Sequence, residues 1–278
     1  MRHEFFIVDV FCTDNFSGNP LAVVVPDQEL DTSRMQKIAR WLGFSETTFL
    51  LPPTDPNADY RVRIFGPHGE FPFAGHPTLG TAYVWLSRRN GAADENHQAS
   101  YFDVVQECEA GLVTVRQRGS SLSFAAPPLR RGGPLNSTQL QECLRATGLK
   151  AEQVVRHAWG DNGAGWRLIQ VNDISALEDL SAHTVPRGVK IGVCALTPGR
   201  GAAYEIRALG PGYEDPVTGS LNAACAQWLR AEGVVPDSFH VRQGRFVGAD
   251  GKLDIDCIGD TVWVGGQVRS SVIGSVDT

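Results

Sequence analysis

Three short blocks of this 278-residue chain carry residue types that could move a proton on a small anion. In GFSETTFL (43–50), Glu46 stands between a helix-stopping glycine and an apolar strand. Flanked by Phe44 and Phe49, a partly desolvated carboxylate has its pKa raised toward that of a working general acid/base. In PFAGHPTLG (72–80), Gly75 and Pro77 set His76 in a sharp turn into a helix. Backbone N–H groups at a helix start are unpaired and partly positive, which suits a carboxylate. In EDPVTGS (214–220), Pro216 holds Asp215 extended. Thr218, Gly219 and Ser220 then lead into a second helix, whose start is a second anion site. Taken singly, each block also has a plainer reading. Glu46 is then a solvated loop carboxylate, His76 a helix cap, and EDPVTGS an Asx-Pro turn with a Ser/Thr cap.

Such blocks need elements to hold them. EFFIVDVF (4–11) and PLAVVV (20–25) read as strands separated by turn residues. Asp31 is the N-cap of a helix through Met35, Ile38 and Leu42, and Gly43 is its stop. TTFLL (47–51) is a strand, and YRVRIF (60–65) alternates as a half-buried strand does. A turn-rich loop, 66–75, opens the apolar helix 78–86, and strands follow near 101–106, 111–117 and 121–125. The Pro- and Gly-rich stretch 127–134 reads as a linker. Beyond it come a helix over 137–146 and strands near 166–171, 189–196 and 203–208. A second turn-rich loop, 210–219, opens the apolar helix 220–230, and strands near 239–242, 252–257 and 261–264 finish the series.

The halves thus share a grammar. GHPTLGTAYVWL (75–86) and GSLNAACAQWL (219–229) lie 143–144 residues apart and both end in Trp-Leu. That offset points to an internal duplication, although two core helices can share a composition by chance. A helix apolar on every face is buried on every face. The expected fold is therefore α+β, two similar domains, each a curved, barrel-like sheet around a central helix. The boundaries fall at 1–126 and 127–278, with the extreme C-terminus free to pack back onto the first domain.

Composition removes several classes. With 42% hydrophobic residues and a net charge of -6, the chain is neither disordered nor a basic nucleic-acid binder. No stretch reaches the roughly 18–20 apolar residues of a membrane span, and the N-terminal apolar run is too short for a signal peptide. A cytoplasmic location is expected. The six cysteines form no CxxC pair, so no metal motif is read and the thiols are expected to be small core residues.

In their order and spacing, SETTFL, PFAGHPTLG and EDPVTGS resemble the signature blocks of the PhzF-like phenazine-biosynthesis family, and FSGNPLAVV (16–24) resembles its N-terminal block. The resemblance implies two diaminopimelate-epimerase-like domains with an active site in the cleft between them, and a homodimer. It assigns Glu46 as the proton-transferring acid/base, with His76, Asp215 and Ser220 binding substrate and shaping the proton path. Gly75 and Gly219 would supply backbone amides near the substrate carboxylate. The related epimerases use two opposed cysteines, at positions that correspond here to Ala74 and Thr218, so two-thiol racemisation is not expected. Three places depart from the family pattern: Gly66 where Thr is common, ALGPGYE (208–214), and Leu221 in place of Ala.

The expected function is a cofactor-independent isomerase, with no metal, acting on a small carboxylate-bearing metabolite through Glu46, His76 and Asp215. Thr218, Gly219, Ser220 and Gly75 are the expected substrate-binding residues. Two alternatives stay open. An epimerase or racemase would use His76 or Asp215 as a second base, and a non-catalytic protein would bind the same kind of ligand on the same scaffold.

Overall fold

Strands form where β-branched and aromatic residues cluster and alternate. In β4 (Tyr60–Gly66), Tyr60, Val62 and Ile64 are buried, whereas Arg61 and Arg63 are half-buried. The computed structural model describes residues 1–28, 30–90 and 101–277. It divides into two units, Met1–Ala125 with Gly265–Thr278, and Ala126–Val264.

The first unit contains β1 (Arg2–Val10), β2 (Asn19–Val25), α1 (Thr32–Leu42), β3 (Thr47–Leu51), β4, β5 (Gly69–Phe71), α2 (Gly75–Asn90), β6 (Tyr101–Cys108), β7 (Gly111–Arg118) and β8 (Ser121–Ala125). Eight strands run in the order β1-β2-β3-β4-β6-β7-β8-β16, and the last, β16 (Thr261–Asp277), pairs with β1 to close a barrel. β5 pairs only with β4. Inside the barrel lies α2, which touches β1 to β4 and β6 to β8. Its Thr78, Leu79, Thr81 and Ala82 are fully buried. Gly80 has no alternative, because a Cβ there would stand 2.5 Å from the Leu21 side chain and 2.9 Å from Val8. Outside, α1 is capped by Asp31, which accepts from Arg34 N at 2.8 Å, and ends at Gly43 with φ 74°. It buries Met35, Ile38 and Ala39 against Phe49, Leu51 and Phe65.

The second unit contains α3 (Ser137–Thr147), β9 (Val154–Gly160), β10 (Trp166–Val171), β11 (Lys190–Leu196), β12 (Tyr204–Gly210), β13 (Tyr213–Asp215), α4 (Gly219–Ala231), β14 (Ser238–Gln243), β15 (Gly251–Ile258) and the first residues of β16. Its strand order is β9-β10-β11-β12-β14-β15-β16, with β13 on β12. The buried helix α4 packs against β9 and β10. On the other face, Cys143 and Leu144 of α3 join Ile169, Ile191 and Leu209 in an outer core.

The pairings repeat. β1 is antiparallel to β2 and β2 parallel to β3, as β9 is antiparallel to β10 and β10 parallel to β11. β4 is parallel to β6, as β12 is to β14. β9 is absent from the sequence reading because consecutive Arg156 and His157 hide its alternation. β16 extends to Asp277, well past 264, because pairing with β1 supplies order that its polar sequence does not advertise. The short strands β5 and β13 lie inside what read as loops.

Candidate active site

Glu46 sits where the αL stop at Gly43 releases the chain and β3 begins one residue later. The half-buried Glu46 carboxylate places Oε2 3.7 Å from Nε2 of His76, the buried second residue of α2. Two side-chain links hold this spacing. The Thr81 hydroxyl lies 2.9 Å from Thr48 Oγ1 on β3 and donates to the Pro77 carbonyl at 2.7 Å, tying the strand after Glu46 to the turn after His76. Thr78 Oγ1 accepts from Gln106 Nε2 at 3.0 Å, and Gln106 Oε1 accepts from Tyr60 at 3.1 Å. Complete burial holds the Tyr60 phenol well above its ordinary pKa, so it stays a donor. Gly75, the first residue of α2, precedes His76 directly.

In the second unit, Asp215 ends β13 and Thr218 caps α4. The Thr218 hydroxyl donates to Asp215 Oδ2 at 2.5 Å. Gln243 of β14 organises the rest. Its Oε1 accepts from Thr218 N at 3.1 Å and Asn222 Nδ2 at 2.8 Å, and its Nε2 donates to Asp215 O and Thr218 Oγ1, each at 3.0 Å. Ser220 is the second residue of α4, and its Oγ accepts from Trp166 Nε1 at 3.1 Å. The structure thus brings Glu46, His76 and Gly75 together in the first unit, and Asp215, Thr218, Gly219 and Ser220 together in the second.

Both helix starts rest on a device that the sequence reading passed over. RIFGPHGE (63–70) and RALGPGYE (207–214) share Arg, Gly, Pro and Glu at an offset of 144 residues. Arg63 donates to Glu70 at 2.7 and 2.6 Å, and Arg207 to Glu214 at 3.1 and 2.5 Å. Each pair clamps the short strand that delivers the chain to its helix. The unusual Gly66 follows from the same hairpin, since a Cβ there would meet the Phe71 ring at 2.7 Å. Tyr213 covers Gly210 in the same way. Leu221, another departure, fills the space beside Gly192. Gln243 and Asn222 carry no motif, so nothing in the sequence singles them out.

All six cysteines are free. Cys225 is fully buried, 3.8 Å from Cys194, and burial with the nearby Asp9 pushes the Cys12 thiol up to about 11. Five of the six are buried thiols, and Cys108 is half-buried. Among the described residues no helix is long and apolar enough to cross a membrane.

The family model described as phenazine biosynthesis-like protein matches residues 8–269. A Pseudomonas aeruginosa protein named trans-2,3-dihydro-3-hydroxyanthranilate isomerase is 46% identical over 90% of this chain and 89% of its own length. The solved structure of a predicted epimerase from the same organism is 28% identical, covers 99% of each chain and superposes with TM-score 0.81. A hydroxyproline epimerase from Agrobacterium vitis, solved with trans-4-hydroxy-L-proline, shares the fold at 16% identity and TM-score 0.59, over 99% of this chain and 92% of that one. The fold is thus diaminopimelate-epimerase-like, as expected, with each sheet curved around an apolar helix. The chain belongs to the phenazine biosynthesis-like protein family, among relatives that are named isomerases.

Proposed function

We propose that this chain is an isomerase that moves a proton within a small carboxylate-bearing metabolite, needs no cofactor, and uses Glu46 as its acid/base. The observation that carries the reading is the half-buried Glu46 carboxylate, 3.7 Å from the buried His76 at the start of α2. Glu46 removes a proton from an activated carbon and returns it elsewhere on the same face, and His76 shares that proton. The backbone amides of Gly75, Gly219 and Ser220 hold the carboxylate and the negative charge that develops on it. Asp215 and Thr218 fix the α4 start and complete the proton path. A positioned acid/base of this kind contributes roughly 10²–10⁴-fold in rate.

The 46% identical relative supports a substrate of its own type, so trans-2,3-dihydro-3-hydroxyanthranilate is the first compound to test. In D₂O the product should carry one solvent deuteron, and Glu46→Gln should slow its incorporation by roughly 10²–10⁴-fold. Incorporation at the wild-type rate in that variant would remove Glu46 from the role. A second reading, epimerisation, draws on the acid that stands near each helix start, Glu46 in one unit and Asp215 in the other. Inverted product configuration would favour it, and retained configuration excludes it.

A further inference from the structure

In the second unit the hydrogen bonds around the start of α4 all run one way. The Thr218 backbone N–H can only donate, and it donates to Gln243 Oε1 at 3.1 Å. That contact settles which end of the Gln243 amide is the oxygen. Nε2 therefore gives one hydrogen to the Asp215 carbonyl and one to Thr218 Oγ1. A hydroxyl carries a single hydrogen, so with Gln243 donating to its oxygen, Thr218 points that hydrogen at Asp215 Oδ2. Further back the direction is the same. Asn222 Nδ2 donates to the Thr218 carbonyl at 2.9 Å and to Gln243 Oε1 at 2.8 Å, and Asn222 Oδ1 accepts from the Tyr204 hydroxyl at 3.4 Å. Burial holds the Tyr204 phenol well above its ordinary pKa, so it stays a donor. Tyr204, Asn222, Gln243 and Thr218 are all buried. Bonds aligned head to tail in this way polarise one another. Asp215 Oδ2 thus receives a hydrogen rather than carrying one, which favours the ionised carboxylate. Charged groups on the neighbouring strands are matched among themselves: Arg207 with Glu214, Arg242 with Asp250, His240 with Asp254, and Arg245 with Glu205. Along α4 the first charged residue is Arg230.

We propose that Gln243 is a positioning residue, which aims the Thr218 hydroxyl at Asp215 and so presents Asp215 to the substrate as an ionised acceptor. The inference rests on the reading in which Asp215 lies on the proton path. It adds a direction to that path. Asp215 takes a hydrogen bond or a proton from the bound metabolite, and the donating steps fall to Glu46 and His76. Gln243 uses both lone pairs and both hydrogens of its amide on the protein, so it acts through Asp215 and not on the metabolite.

The test follows the Asp215 carboxyl by NMR titration of the full chain, labelled with carbon-13 at its aspartate carboxyls. Loss of the signal in Asp215→Asn assigns it. The variants are Gln243→Met, Gln243→Leu and Thr218→Val, each checked for folding by thermal melt. Without the Gln243 donor the Thr218 hydroxyl is free to turn, and Asp215 can keep a proton on Oδ2 and donate it to Thr218. In Thr218→Val the hydroxyl is gone. In all three the carboxyl should hold its proton about tenfold more tightly than in the wild type, titrating about one pH unit higher. The acid limb of kcat/KM for trans-2,3-dihydro-3-hydroxyanthranilate should move with it. A folded Gln243 variant that titrates as the wild type does overturns the positioning role and leaves the isomerase reading standing. So does a carboxyl that moves while the acid limb stays, since Asp215 is then off the proton path. If neither Gln243 variant folds, the residue serves stability and the inference falls. A wild type that does not turn the compound over overturns both readings, an outcome kept distinct because the titration needs no substrate.

Discussion

The Thr81 hydroxyl stands 2.9 Å from Thr48 Oγ1, so a residue in the second turn of α2 fixes the strand that begins just after Glu46. Glu46 and His76 are thirty positions apart in sequence, and this buried contact helps to hold their spacing. Replacing Thr81 with Val keeps the volume and strands the Thr48 hydroxyl in the core. Stability should fall by about 1–3 kcal/mol. The expected kinetic signature is a lower kcat with KM little changed, because Glu46, the proposed acid/base, loses its register while the α4 start is untouched. Unchanged kcat in a folded variant would assign the contact to stability alone.

The two Arg–Glu clamps are the same device at different depths. Arg207 and Glu214 are 7% and 6% exposed, whereas Arg63 and Glu70 are each 25% exposed. Glu214→Gln leaves a guanidinium buried without its counter-charge and should cost about 3–5 kcal/mol. Glu70→Gln leaves a better solvated one and should cost about 1 kcal/mol or less. Denaturant titration of both variants checks the asymmetry, and equal losses would contradict it.

Asp9 predicts a pH trend. Burial raises its carboxyl pKa, even though the Ser17 and Gly18 amides donate to it at 2.9 and 3.0 Å. The folded state therefore binds this proton more tightly than the unfolded state does, and stability declines as pH rises from the ordinary value of 3.8 through the raised one. Asp9→Asn cannot ionise. Measured by chemical denaturation across that window, wild-type stability should fall relative to the variant as pH increases. A difference that stays flat or moves the other way would contradict the trend.

What the sequence discloses depends on how local the physics is. Asp31 and Gly43 bound α1 through contacts within a few residues, so the helix ends are readable. The apolar character of α2 and α4 announces burial, and from burial the surrounding sheet. The pairing of Glu46 with His76 is legible only through the resemblance of whole blocks, since neither residue type specifies the other. Gln243 escapes altogether. Its four hydrogen bonds join a residue of β14 to the loop and first turn of α4 more than twenty residues earlier. Asn162, whose amide donates to the Ser220 carbonyl at 2.8 Å, is equally silent, because an Asp-Asn-Gly turn is ordinary until that partner is known. The Arg–Glu clamps, by contrast, were written in the sequence as a repeat and needed only a longer window than the helix motifs offered.

The closing strand of the first barrel has a consequence for how the chain is made. Arg2 pairs with Asp277 and Val10 with Val268, so the barrel's seam joins β1 to a strand made only after the second unit. The strands of the second unit, by contrast, find their partners in that unit within residues 126–264, the start of β16 included. The first unit instead waits through their synthesis with β1 and β8 lacking the stave that both will flank. Exposed strand edges invite mispairing. During that interval the newborn chain is most open to chaperones and to joining its neighbours, and the synthesis of residues 265–277 ends it.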